Sequence, residues 1–320
     1  LPPNPRLPPL ETMPSPPEGL VSILDYIRWG ASRFNAAELF FGHGTDNALD
    51  EAAHLVLAAL HLPPDLPDAY RACRLTEEER VAILALSERR IQGRGPAAYL
   101  THQAWFAGLE FYVDESVLVP RSPLAELVET GFGPWVEPET LSRVLDLCTG
   151  SGCIGIAAAI YLPDADVDLA DISPAALAVA ARNIAAHGLE DRVRVIESDL
   201  FAGLEGQRYD LIVSNPPYVG AAELAALPPE YHREPRLGLA GGESGLDLVL
   251  RILHEAPRHL TEDGVLVLEV GMTAPALEAR FPEIPFMWIE FERGGEGVFL
   301  LDRARLLEFQ PLFARELTRS

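Results

Sequence analysis

Acidic residues close successive apolar runs at three places: Asp146 in "VLDLCTGSGCIG", Asp171 in "LADIS" and Asp199 in "VIESDLF". Behind the first stand Gly150, Gly152 and Gly155 in G-x-G-x-x-G spacing, with Asp171 about 20 residues further on. That spacing suits a dinucleotide, and glycines so spaced also serve a tight strand-to-helix turn with no ligand at all. Asp146 argues against a pyrophosphate, because like charges in a partly dry cleft repel by several kcal/mol, on the order set by Coulomb's law at reduced dielectric. S-adenosylmethionine carries no phosphate, and its ammonium and sulfonium make a nearby carboxylate favourable. Asp171 is then expected to accept from both ribose hydroxyls, and Asp199 to face the adenine with Leu200 packing on the ring.

A second chemical signal lies in "IVSNPPYVG", where Asn215, Pro216, Pro217 and Tyr218 follow an apolar run. In isolation these four residues read as a proline turn. An acceptor nitrogen belonging to an amide or an aromatic amine has its lone pair delocalised, so it is a poor nucleophile. The Asn215 side-chain oxygen and the Pro216 carbonyl can each accept one of its N–H bonds. Held so, the nitrogen can pyramidalise toward a methyl donor. Tyr218 offers a flat face for a planar amide, and the prolines keep the acceptors preorganised.

The elements that must position these groups are legible from periodicity. Apolar residues recur every three or four positions from "GLVSILDYIRWGASRFNAAEL" to "LTEEERVAILALSERRIQG", which predicts a helical domain over residues 19–103, with Thr76 opening one of its helices. Before it, residues 1–18 are proline-rich and predict an extended or disordered tail. "AWFAGLEFYVDESVLVP", residues 104–120, alternates apolar and polar around "DES" and predicts a linking β-hairpin turning there. Over 121–320 strand-like and helix-like runs alternate, as in a mostly parallel sheet covered by helices on both faces. The run "FMWIEFERGGEGVFLLD" adds two antiparallel strands at one edge. The fold class is therefore α/β.

Composition bounds the partners. The chain of 320 residues is 48% hydrophobic and 23% charged, as in ordinary globular proteins, and no apolar run approaches the roughly 18 residues needed to cross a bilayer. Its opening residues lack the basic start and apolar core of a secretory signal, so a cytoplasmic protein with no membrane association is expected. Cys73, Cys148 and Cys153 form no C-x-x-C pair and are expected to be buried small residues rather than ligands; no metal is expected. A net charge of −23 disfavours direct nucleic-acid binding, which draws on lysine and arginine; it suits a basic protein partner or a positively charged cofactor, and equally serves solubility alone.

"LDLCTGSGCIGIA", "ADISPAALAVAARNI", "ESDLFAGL" and "SNPPYV" resemble the class I methyltransferases that modify the side-chain amide of glutamine in proteins of the translation apparatus. One branch of that family acts on peptide-chain release factors and another on large-subunit ribosomal protein three. "FAGLEFYVDESVLVPRSPLAELVE" looks like the ribosomal branch, as does Leu200 where the other branch tends to carry tryptophan. The resemblance spans about residues 75–300 and implies a Rossmann-like methyltransferase sheet using S-adenosyl-L-methionine. It implies that Asp146, Thr149, Gly150, Ser151, Gly152, Asp171, Ile172, Asp199, Leu200 and Asn215 surround the cofactor. Asn215, Pro216 and Tyr218 would be catalytic, and Asn215, Pro216, Pro217 and Tyr218 would receive the glutamine. Arg121 and Ser122 would lie at the site's entrance, or serve a structural role at the hinge. "YHREPRLGLAGG" would shape the substrate side, with Glu234 and Arg236 either taking part or only tying that loop down. The partner so implied is ribosomal protein three, a basic protein, free or in an assembling ribosomal particle.

Rival readings are separable on sequence. A methyltransferase acting on the exocyclic amine of adenine shares the Asn-Pro-Pro-Tyr chemistry but needs a phosphate-binding surface. A nucleotide-dependent oxidoreductase would need a second nucleotide-binding half. A non-catalytic binding module would not require the full set of loop, carboxylates and amide-binding segment. "GGESGLD" fails the G-x-S-x-G nucleophile pattern, since Leu246 holds its final position.

Overall fold

The structure is a computed structural model and describes residues 16–318. The proline-rich tail, residues 1–18, lies almost entirely outside the described residues. The chain divides into two compact units: residues up to Gln103 together with Pro228–Arg233, and Ala104–Leu227 together with Glu234 onward.

The first unit is helical. Its helices Ile23–Ala36, Ala48–Ala59 and Glu77–Gly93 enclose a core that includes Tyr26, Phe34, Leu55, Val56, Ile83 and Leu84. Two helix starts are reciprocal caps. Ser22 and Asp25 satisfy each other's backbone N–H groups, and so do Thr76 and Glu79, which agrees with the start read at Thr76. The unit also holds a cluster of ion pairs built on the buried Glu51, Arg90 and Glu230. Arg90 Nε donates to Glu51 at 2.7 Å, and Arg94 reaches Glu230 at 2.7 Å. Glu230 also accepts from the Phe40 N–H, and so anchors the Pro228–Arg233 segment in this unit.

The second unit opens with an antiparallel hairpin, β1 (Ala104–Phe106) and β2 (Leu109–Phe111). Its turn falls at Ala107 and Gly108, not at "DES". Both turn residues have positive φ, 49° and 73°, as a two-residue hairpin turn with the right twist demands. Asp114–Ser116 instead forms a separate turn in which Asp114 Oδ1 accepts from Ser116 N.

The main sheet contains β3 (Arg143–Leu147), β4 (Asp166–Asp171), β5 (Val193–Glu197), β6 (Tyr209–Ser214), β7 (Leu260–Glu269), β8 (Met287–Trp288) and β9 (Val298–Asp302). Its order is β5-β4-β3-β6-β7-β9-β8. The first five strands in that order are parallel, β9 runs antiparallel to β7, and β8 antiparallel to β9. This is the mixed α/β architecture with an antiparallel edge that the alternating runs predict. Along each strand successive side chains serve opposite cores. Val144, Val167, Leu169, Leu211 and Val213 pack with helices Cys153–Tyr161 and Pro174–His187 on one face. Leu145, Leu147, Ala170 and Ile212 pack with helices Asp247–Glu255 and Arg303–Leu317 on the other. The last of these helices was not anticipated from the sequence. Nor is every cysteine a small buried residue: Cys153 is buried, Cys148 half-buried and Cys73 exposed.

Candidate active site

The strand order reverses at β3: β4 and β5 build outward on one side, while β6 and β7 build on the other. At such a switch point the loops leaving the carboxyl ends of the strands diverge and open a crevice. The register aligns what stands there. Leu147 pairs with Ala170 of β4 and Ser214 of β6, and Ser214 pairs with Leu268 of β7. One residue further along the chain stand Asp171 and Glu269, the last residues of β4 and β7, and Cys148 and Asn215, the first residues past β3 and β6. The Ser214 hydroxyl donates to the Leu147 carbonyl at 2.5 Å and pins the two central strand ends together.

The glycine loop leaves β3 through Cys148, Gly150 and Gly152, all with positive φ. Gly152 caps the helix Cys153–Tyr161 from the left-handed region, where a side chain is strained. Gly155 answers a packing need: a Cβ there would fall 2.8 Å from the Asp146 Cβ and closer still to Leu169. The helix can therefore sit directly on the sheet.

Asp146 is wholly buried. Its Oδ2 accepts from the Thr149 hydroxyl at 2.5 Å and from the Gly155 N–H at 2.8 Å, while Oδ1 has no hydrogen-bond partner. Burial pushes this carboxyl up to about 7, against the lowering pull of those two donors, and the neighbouring Asp171 charge adds to the rise. An unpartnered carboxyl oxygen at the base of a glycine loop fits a cationic ligand, whose charge would favour the anion. Asp171 ends β4, with Oδ2 accepting from Gly150 N at 2.9 Å and Oδ1 from Ser173 N at 2.9 Å. Burial raises its carboxyl above the ordinary range despite both bonds. Each of its oxygens retains an acceptor position for a further hydroxyl.

The other residues expected around the cofactor are distributed unevenly. Thr149 and Ser151 are buried in the loop, and Ile172 is exposed beside Asp171. Asp199 lies two residues past the end of β5, is exposed and pairs with Arg251 at 3.0 Å. Leu200, at φ 50°, is a core residue, packed among the side chains on one face of the sheet.

Asn215 is half-buried and Pro216 and Pro217 are buried at the end of β6. Burial pushes the Tyr218 phenol well above its ordinary range, and the Glu269 carboxyl, which accepts from its hydroxyl at 2.9 Å, adds to the rise. Ser122 also donates to Glu269. Arg121 turns to Glu234, forming a two-pronged pair at 2.7 and 2.8 Å, and Glu234 accepts from Val119 N as well. "VPRSP" is thus tied on one side to the loop after Asn-Pro-Pro-Tyr and on the other to the end of β7.

Two positioning groups escaped the sequence reading. Asn183, buried on the helix Pro174–His187, donates to the Ser151 carbonyl at 2.9 Å and exchanges hydrogen bonds with the Tyr112 backbone. It looks from sequence like any polar residue in an alanine-rich helix. Glu269 was legible in principle, since it closes an apolar strand as Asp171 does.

Strand order and loop chemistry together place the chain among the class I methyltransferases. Residues 135–226 match the methyltransferase small domain family. A ribosomal protein uL3 glutamine methyltransferase from Xanthomonas campestris pv. campestris is 55% identical over 289 residues, covering 90% of this chain and 93% of its own length. Another, from Xylella fastidiosa, is 54% identical over 297 residues, covering 92% and 94%. The chain belongs to the family of ribosomal protein uL3 glutamine methyltransferases. Among solved structures, a methyltransferase from Pyrococcus furiosus is similar at 19% identity and a TM-score of 0.45, over 61% of this chain and 89% of that one.

Proposed function

We propose that this chain methylates the side-chain amide nitrogen of a glutamine in ribosomal protein uL3, with S-adenosyl-L-methionine as donor. The observation that carries the reading is the cross-strand row itself. It sets Asn215 one strand from the glycine loop and two from Asp171. Asp146 and the loop of Thr149, Gly150, Ser151 and Gly152 would hold the amino-acid end of the donor, and Asp171 and Ile172 its adenosine end, Asp171 through the ribose hydroxyls. When bound, the donor supplies an electrophilic methyl on a sulfonium.

The chain's own residues address the acceptor. Asn215 and the Pro216 carbonyl accept the two N–H bonds of the glutamine amide, and the Tyr218 ring supports its plane. As the nitrogen attacks the methyl carbon, the carbon–sulfur bond breaks with its electron pair left on the departing thioether sulfur, and the nitrogen becomes cationic until it gives up one proton to solvent, so these acceptors bind it more strongly in the transition state than in the ground state. No strong base is required beforehand, because the nitrogen becomes acidic only on attack. The net charge of −23 supports a basic protein substrate over nucleic acid.

The test is a parallel incubation of the enzyme and radiolabelled donor with uL3, release factors and DNA. Label on uL3 supports the reading. Label confined to either of the others overturns it.

A further inference from the structure

Glu269 is the last residue of β7, next to the Leu268 that pairs with Ser214, and Asn215 directly follows Ser214 at the end of the neighbouring strand. It is 4% exposed, and its two oxygens serve different partners. Oε1 accepts from the Tyr218 hydroxyl at 2.9 Å. Oε2 accepts from the Ser122 hydroxyl, whose oxygen accepts in turn from Leu124 N at 3.1 Å. Tyr218 is enclosed by glycines as well. A Cβ at Gly271 would lie 2.6 Å from the ring, one at Gly245 2.3 Å from the Tyr218 carbonyl, and one at Gly241 2.7 Å from its Cα. Ring, carbonyl and Cα are therefore each held by close approach, and the hydroxyl by a buried carboxyl.

We infer that Glu269 is a positioning residue for methyl transfer, fixing the Tyr218 ring, and through it the Asn215–Tyr218 backbone, in the orientation that receives the acceptor. The assignment rests on the proposed amide-methylating role of that segment. A buried carboxyl is costly to the fold unless its partners compensate. Ser122, Tyr218 and the Arg121 charge favour the anion, while burial holds the carboxyl above its ordinary range. Packing alone would be served better by an apolar residue at the end of this strand.

Turnover of Glu269→Ala should fall by about tenfold or more with the KM for the donor unchanged, the pattern of a group acting on the transition state. Glu269→Gln should recover most of the rate, because its carbonyl can accept from Tyr218 while Ser122 rotates to accept from its amide. In a Tyr218→Phe background neither change should lower the rate further, since the hydroxyl they act through is gone. If Glu269→Ala does not fold, Glu269→Asp draws the oxygens back by one methylene with the charge kept. It should slow the parent but not the Tyr218→Phe enzyme. Parental turnover in Glu269→Ala or Glu269→Asp, or losses that multiply with that of Tyr218→Phe, would overturn the assignment. Label on uL3 by the parent tests the proposed function separately; the variant-to-parent ratio is read on whichever protein accepts the label.

Discussion

At the scale of single residues the site pairs one unusual acid with one unusual acceptor. Asp146 is an acid whose environment disfavours its anion, lifting it to about 7. In the unfolded chain it would ionise near its ordinary value of about 4, so between about pH 4 and 7 the folded state holds a proton that the unfolded state has lost. Its contribution to stability therefore falls as pH rises through that window. A cationic donor reverses the balance by favouring the anion. Donor affinity measured by calorimetry should rise with pH up to about 7 and level off above it, and Asp146→Asn should flatten the curve. A flat parental profile would remove the charge pairing. The acceptor side gives a different signature. Asn215→Ala should lower single-turnover rates by about a hundredfold, as for loss of one preorganised hydrogen-bonding group, while leaving donor affinity nearly intact. Equal loss in both quantities would mean that Asn215 binds rather than catalyses.

At the scale of elements the site depends on how closely the helix Cys153–Tyr161 approaches β3 and β4. Gly155→Ala would drive a methyl into Leu169 and the Asp146 Cβ. The rigid Asp146 stem cannot yield as a side-chain tip can, so a loss of about 1 to 3 kcal/mol is expected in denaturant unfolding, with donor binding weakened as Asp146 shifts. No change in midpoint would show that the helix has slack. Most of this level was legible in the sequence. Apolar runs ending in Asp146, Asp171 and Asn215 read as parallel strands because both faces of the sheet are buried. The hairpin turn was missed because "DES" carries strong turn chemistry of its own, whereas Ala107 at positive φ has no sequence signature. Asn183 and Glu230 were missed for a different reason. Their partners lie 32 and 190 residues away, and no local pattern reports such contacts.

At the scale of the whole molecule, charge is the dominant global property. Forty-eight acidic residues against 25 lysines and arginines make a field that attracts a basic protein over a distance comparable with the Debye length. The kcat/KM for uL3 should therefore fall steeply as salt is raised, mainly through KM, while donor binding changes little. Insensitivity to salt would assign recognition to apolar contacts instead. No helix among the described residues is long and apolar enough to cross a membrane. The helical unit was visible as a block of helical periodicity. That Pro228–Arg233 belongs with it was not, because the segment sits in sequence between β6 and β7 and joins the unit only through contacts such as that of the buried Glu230.

The central claim, that this site methylates an amide nitrogen, is tested most directly by fragmenting uL3 after incubation with enzyme and donor and locating the added methyl by mass spectrometry. One methyl on a glutamine side chain is predicted, and none when that glutamine is replaced by glutamate. A methyl on lysine, on a carboxylate or on the glutamate replacement would contradict it.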